Sequence, residues 1–269
     1  MFKKLTAYHH FLVFLIILTV LKIAHVFITQ GQEEGFVFTG LGVGLILISS
    51  LLHLIFSALF DKSKKYLNSL ISTFLIILML SHADPEPVRG VMVLLLLYVA
   101  KFFIKYNKQN IFNPVVFSIG ATTLLALFVP FIGIPPMDFT GIDIRFPIAG
   151  MDIPIPLLPV TLALVFNVKR VKRHPLAISF IATSLLMGLF INTYDHDVFS
   201  YIIITAFIGA AVIVEPKTSP VKNKEQIIFG ALMAFFITGL TVVDVPNPII
   251  IGLLIGNIGF FSYIKLANG

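Results

Sequence analysis

The sequence predicts an all-α integral membrane protein of about ten transmembrane helices in two inverted five-helix halves. Composition, the spacing of apolar runs and the sign of the loop charges carry that expectation. Of the 269 residues, 58% are hydrophobic and 12% are charged, where a soluble domain has about 25% charged residues. A mean hydropathy of +1.00 leaves too little polar surface to face water. The +6 net charge therefore sets topology in a lipid bilayer rather than binding nucleic acid. Cysteine is absent, so the chain supplies no disulfide, thiol nucleophile or iron–sulfur cluster ligand. Of the seven histidines, only His9 and His10 lie close together, and neighbours in sequence point to different sides of a helix. No metal site is expected.

A spanning helix takes about 20 apolar residues. Apolar runs occupy 8–29, 37–60, 67–82, 87–105, 111–133, 155–168, 175–192, 197–214, 226–243 and 248–265. The third and sixth are short, but charges and turn residues bound both, which makes ten the best count in a range of eight to eleven. The first run follows Lys3 and Lys4 like a secretory leader. Lys22 interrupts it and no small-residue cleavage site follows, so it reads as a retained first helix. With the N-terminus in the cytoplasm, 16 of the 19 basic residues fall inside and 10 of the 13 acids outside. One wrong helix would invert every later loop, so this regularity supports a multi-pass protein of the cell membrane with both termini cytoplasmic.

Ten helices divide into residues 1–133 and 155–269, joined by an outer Pro-rich connecting loop at 134–154. An odd number of helices per half inverts the second half. Asn113-Pro114 opens the fifth helix and Asn247-Pro248 the tenth, 134 residues later. Asp84-Pro85 follows the third helix and Glu215-Pro216 the eighth, 131 residues later. Such repeats place a site between the halves, although these dipeptides are also ordinary helix punctuation.

Residues 211–231, AVIVEPKTSPVKNKEQIIFGA, carry an acid-Pro-x-Thr-Ser-Pro segment followed by Ile-Ile-Phe-Gly. Together with KFFIKYNKQNIFNPVVF at 101–117 and PIIIGLLIGNI at 248–258, it resembles the RnfD/NqrB family. That family comprises membrane components of the Rnf electron-transport complex and of the sodium-pumping NADH:quinone reductase. The resemblance implies a urea-transporter-like arrangement and a flavin-dependent electron-transport subunit, with ion movement as a coupled process. Its partners would be other electron-transport subunits or a flavin-carrying outer-face protein. Family members often carry FMN on a Thr in the outer loop after helix five. Here that loop offers only Thr140, outside a Gly-Ala-Thr triplet. The sole such triplet, Gly120-Ala121-Thr122, lies about ten residues into helix five, roughly 15 Å deep. A non-covalent flavin (riboflavin or FMN) is therefore expected, without covalent FMN.

The candidate cofactor-binding residues are Asn113, Glu215, Thr218, Ser219 and Asp84. All but Glu215 also have a structural reading. Asn113 caps helix five, Thr218 and Ser219 cap helix nine, and Asp84 is a solvated loop acid. Lys22 and His25 are ionisable groups within a span, with Lys22 close enough to the end to snorkel outward. His53 reads as buried polar packing. Gly40 and Gly44 suit a close helix–helix contact rather than a nucleotide loop, which needs a strand before it. The rival function is a small-solute channel or transporter on the same architecture.

Topology is the testable part of this reading. A thiol introduced as Lys64→Cys should be protected from an impermeant outside reagent, and one introduced as Asp195→Cys should react. The reverse pattern would end the orientation.

Overall fold

The computed structural model describes residues 6–60, 66–81, 86–106, 109–135, 145–148, 151–155, 157–169, 171–190, 198–215 and 218–268. Lys64, Asp84, Thr140 and Asp195 lie outside these. Among the described residues the fold is all-α, with two short hairpins. The helices are α1 Ala7–Thr29, α2 Gln32–Leu59, α3 Tyr66–Met79, α4 Pro87–Phe102, α5 Pro114–Phe128, α6 Leu157–Ala163, α7 His174–Phe190, α8 Val198–Phe207, α9 Asn223–Val242 and α10 Pro248–Asn268. Each coincides with one of the ten apolar runs.

Local chemistry sets the boundaries. Gly31, at a φ of 99°, separates α1 from α2, in a region that only glycine enters freely. Glu33 and Glu34 then sit in the first turn of α2, where the helix dipole favours acids. Pro87 and Pro114 open α4 and α5 at first-turn positions, where the missing N–H costs nothing. Two helices loosen at their ends into π turns, Leu164–Val168 after α6 and Ile208–Val212 after α8.

Three helical stretches, Tyr8–Thr29, Gln32–Leu59 and Asn223–Val242, are long and apolar enough to cross a bilayer. The chain is a membrane protein on that ground. Large side chains such as Leu47, Leu54, Phe128, Phe190 and Phe235 point outward, as lipid-facing positions do. Ten α-helices lie among the described residues, and the three stretches above are the ones among them long and apolar enough to span. The 14 residues of α3 reach about 21 Å at 1.5 Å per residue, short of the ~30 Å hydrocarbon core.

Packing joins α1 to α3, α2 to α4, and α4 to α5 in the first half. In the second, α6 meets α8, α7 meets α9, and α9 meets α10. Across the halves α5 touches α10 and α1 touches α6. Leu15, Leu18, Ile76, Leu94, Ile119 and Phe207 form the buried centre.

Two expectations are corrected by this packing. Gly40 and Gly44 are not contact glycines: a Cβ at either would meet nothing within 4 Å, because that face of α2 is turned away from its neighbours. One close approach is at Gly230, where a Cβ would lie 2.6 Å from the Leu176 carbonyl oxygen of α7. The connecting loop is also more than a loop. Arg145–Ile148 and Met151–Pro154 pair antiparallel, with Phe146 opposite Ile153. A second hairpin, Lys105–Tyr106 with Gln109–Asn110, links α4 to α5.

Gly230→Val should lower unfolding free energy by about 1–3 kcal/mol through overpacking. Gly40→Ala should be neutral or stabilising by up to ~1 kcal/mol, since a helical glycine is replaced in open space. Thermal unfolding in detergent compares the two, and equal effects would contradict this packing.

Candidate functional site

A cavity of about 200 Å³ opens where the two halves meet. Its wall takes Asn68, Ser69 and Ser72 from α3, Lys101 and Phe102 from the end of α4, and Asn113 to Val115 from the start of α5. The second half contributes Asn167, Val171, Ala211, Val214 and Glu215, and α1 contributes Tyr8 and Phe11. Amide and hydroxyl groups alternate with Ile71, Leu75 and Phe102, so the lining suits a flat, partly apolar ligand edged with hydrogen-bonding groups.

Asn113 does two jobs with one side chain. Its Oδ1 accepts from the Val115 N–H at 3.0 Å and the Val116 N–H at 3.5 Å, the N-cap of α5. Its Nδ2 donates to the Val212 carbonyl at 3.1 Å. Two residues away in the same π turn, the Ala210 carbonyl accepts from Asn167 Nδ2 at 3.0 Å. The last carbonyls of a helix have no partner within it, and here two asparagines take them.

Lys22 corrects the expectation of outward snorkelling. It is 0% exposed, with Nζ donating to the carbonyls of Ile77 at 3.4 Å, Leu78 at 3.1 Å and Leu80 at 2.6 Å. Three donated bonds are what an ammonium offers, and the Phe38 ring lies 5.2 Å from Nζ. The amine is held inward because α3 stops short and leaves its C-terminal carbonyls together, the place where a helix dipole favours a cation.

The corner after α8 is closed by a chain of contacts. Arg173 Nε donates to Ser219 Oγ at 3.0 Å, and Ser219 Oγ donates to the Glu215 carbonyl at 2.7 Å. The Thr218 N–H also reaches that carbonyl, at 3.2 Å. Burial lowers the pKa of the Arg173 guanidinium, though arginine stays charged in proteins. Thr218 and Ser219 are buried but off the cavity wall. Neither caps α9, whose N-cap is Lys222 without a side-chain cap bond. Ser219 instead spends its hydroxyl on the corner.

Of the candidates, Asn113 and Glu215 both line the cavity, whereas Asp84 falls outside the described residues. Asn247 lies elsewhere, donating to Thr123 Oγ1 at 2.9 Å and the Pro135 carbonyl at 3.0 Å. Thr122 is fully buried and donates to the Ser118 carbonyl at 2.8 Å. Sequence reasoning missed Lys101, Asn68 and Asn167. Their only signal was a polar residue near the end of an apolar run. Lys101 Nζ donates to the Asn68 carbonyl at 3.0 Å. No family model and no curated protein matches the chain.

Lys22→Met should cost about 3 kcal/mol, because carbonyls in an apolar interior lose charge-assisted bonds. Asn113→Ala should cost about 1–3 kcal/mol for the cap and the Val212 bond together. Unfolding in a denaturing detergent measures both, and wild-type stability of Lys22→Met would show that water reaches the end of α3.

Proposed function

We propose that the chain is a membrane subunit of a flavin-dependent electron-transport system of the Rnf/Nqr type. It would hold a non-covalent flavin in the cavity between its halves and pass electrons across or along the membrane. The observation that carries this reading is that Asn113 and Glu215, from the two segments that resemble the RnfD/NqrB family, line the same cavity. They are 102 residues apart in sequence.

The lining fits the group. Lys101, Asn110 and Asn113 bring hydrogen-bonding groups suited to ring carbonyl and nitrogen edges, while Phe11, Leu75 and Phe102 offer apolar faces. At about 200 Å³, the space is below the ~300–1,000 Å³ of drug-sized ligand sites. It therefore takes a ring, with any ribityl chain directed out of the opening. A flavin bound there supplies the redox chemistry. The protein's own residues orient it, exclude water and set the local charge through Lys101 and Glu215.

The ten-helix, inverted reading belongs to the same proposal. Lys22 of α1 donates to the carbonyls ending α3, and Asn167, in the π turn after α6, donates to a carbonyl ending α8. The acceptors Leu78 and Ala210 are 132 residues apart, within the 131 to 134 separating the Pro signatures. Four packing pairs of the first half have counterparts in the second, α1–α3 with α6–α8, α2–α3 with α7–α8, α2–α4 with α7–α9 and α4–α5 with α9–α10. On this reading the ten helices sit in the cell membrane with both termini in the cytoplasm, beside electron-transport subunits that supply and remove electrons.

Protein purified in mild detergent should be yellow, with its colour released on denaturation. Glu215→Gln should lower flavin retention more than thermal stability, since a cap or corner residue alone costs only about 1 kcal/mol. A colourless protein that conducts a small solute in vesicles would establish the channel reading instead.

A further inference from the structure

The cavity's hydroxyls connect to a buried histidine that the proposed function does not use. His53 lies six residues before the end of α2 at Leu59 and is 5% exposed. Its Nδ1 is 3.0 Å from Ser69 Oγ, and its Nε2 is 3.5 Å from Ser57 Oγ. Ser69 is on the cavity wall, and Ser57 is one turn closer to the end of α2 and only half-buried. Each ring nitrogen thus faces a hydroxyl, one toward the cavity and one toward the helix end. Imidazole is the side chain that can take a proton on one nitrogen and release one from the other near neutral pH.

Tying α2 to its neighbours does not need an ionisable group. One turn away, Ser49 Oγ meets Thr73 Oγ1 at 2.5 Å, and Tyr98 OH donates to the Ser49 carbonyl at 2.6 Å. Neutral hydroxyls already join α2, α3 and α4 there. An ionisable residue within an apolar span is costly and marks proton or ion pathways.

We propose that Ser57, His53 and Ser69 form a proton relay from the end of α2 into the cavity. A basic atom of the cavity's occupant takes the Ser69 hydroxyl proton, and Ser69 recovers one from His53 Nδ1. His53 Nε2 then takes a proton from Ser57, which is resupplied by water. The protein changes only in the imidazole tautomer, which returning protons reset. Where the occupant is reduced, the electron comes from a one-electron carrier in a partner subunit and the proton from water. That use rests on the flavin reading, whereas the relay itself does not. Of the ionisable groups on the packed elements, Tyr66 of α3 lies beside the ring, its centroid 5.3 Å from that of His53. The others are Arg89, Tyr98 and Lys101 on α4 and Tyr8, His9, His10, Lys22 and His25 on α1, with Lys22 engaged at the other end of α3.

The test begins with the wild-type protein, labelled with ¹⁵N-histidine, in phosphatidylcholine nanodiscs. The ring N–H resonance that disappears in His53→Gln should exchange with water within milliseconds, and Ser57→Ala should slow that exchange on the order of 100-fold without changing thermal stability. A narrow, slowly exchanging resonance that Ser57→Ala leaves unmoved overturns the relay. In protein that carries flavin, His53→Gln should slow proton uptake after dithionite reduction by a similar factor while keeping the flavin bound. Uptake at the wild-type rate in that variant also overturns it. A colourless wild-type protein sinks the flavin reading alone, and the exchange measurement still decides the relay.

Discussion

A helix that ends inside an apolar slab leaves carbonyls that water cannot reach, and each one unsatisfied costs several kcal/mol. That constraint organises this molecule. The end of α3 is held by Lys22, and the end of the α8 π turn by Asn113 and Asn167. Because those ends are captured by side chains, α3 and α8 can stop early, and their shortness leaves room beside them. The cavity wall draws on Asn113 and Asn167 and on Ala211 and Val214. The groups that satisfy the broken backbone are therefore also the groups that shape the site.

The local parts of this arrangement were legible in the sequence. Apolar runs locate the helices of the described residues because side-chain transfer energy is a property of each residue in turn. Asn113-Pro114 reads as a helix start because the cap and the fixed proline φ act within three residues. Lys22 was misread because its partners are 55 to 58 residues away, and nothing nearby announces that α3 ends beside it. Asn167 gave as little sign, bonding to a carbonyl 43 residues later. Ser219 shows the opposite failure. Its sequence context suits a cap, but the buried Arg173 guanidinium competes for the hydroxyl and wins.

Glycine spacing failed for a related reason. Four-residue spacing puts Gly40 and Gly44 on one face of α2, yet periodicity does not say which face meets a neighbour. Close approach is decided by the partner: the α7 backbone crosses at Gly230, while Leu254 and Ile250 of α10 crowd Gly120 of α5. The second of these fixes how near the two halves come.

The chemical difference between the two captured ends explains why a cavity forms beside one of them. At α3 the donor is a lysine, whose long stem and ammonium fill the space and gather three carbonyls. At α8 the donors are two short neutral amides, each on one carbonyl, and the volume a lysine would take stays open. Under the proposed inversion these corners are equivalent in backbone but not in charge. At the first, Lys22 is buried against the carbonyls that end α3. The second keeps donors, space and a nearby carboxylate in Glu215.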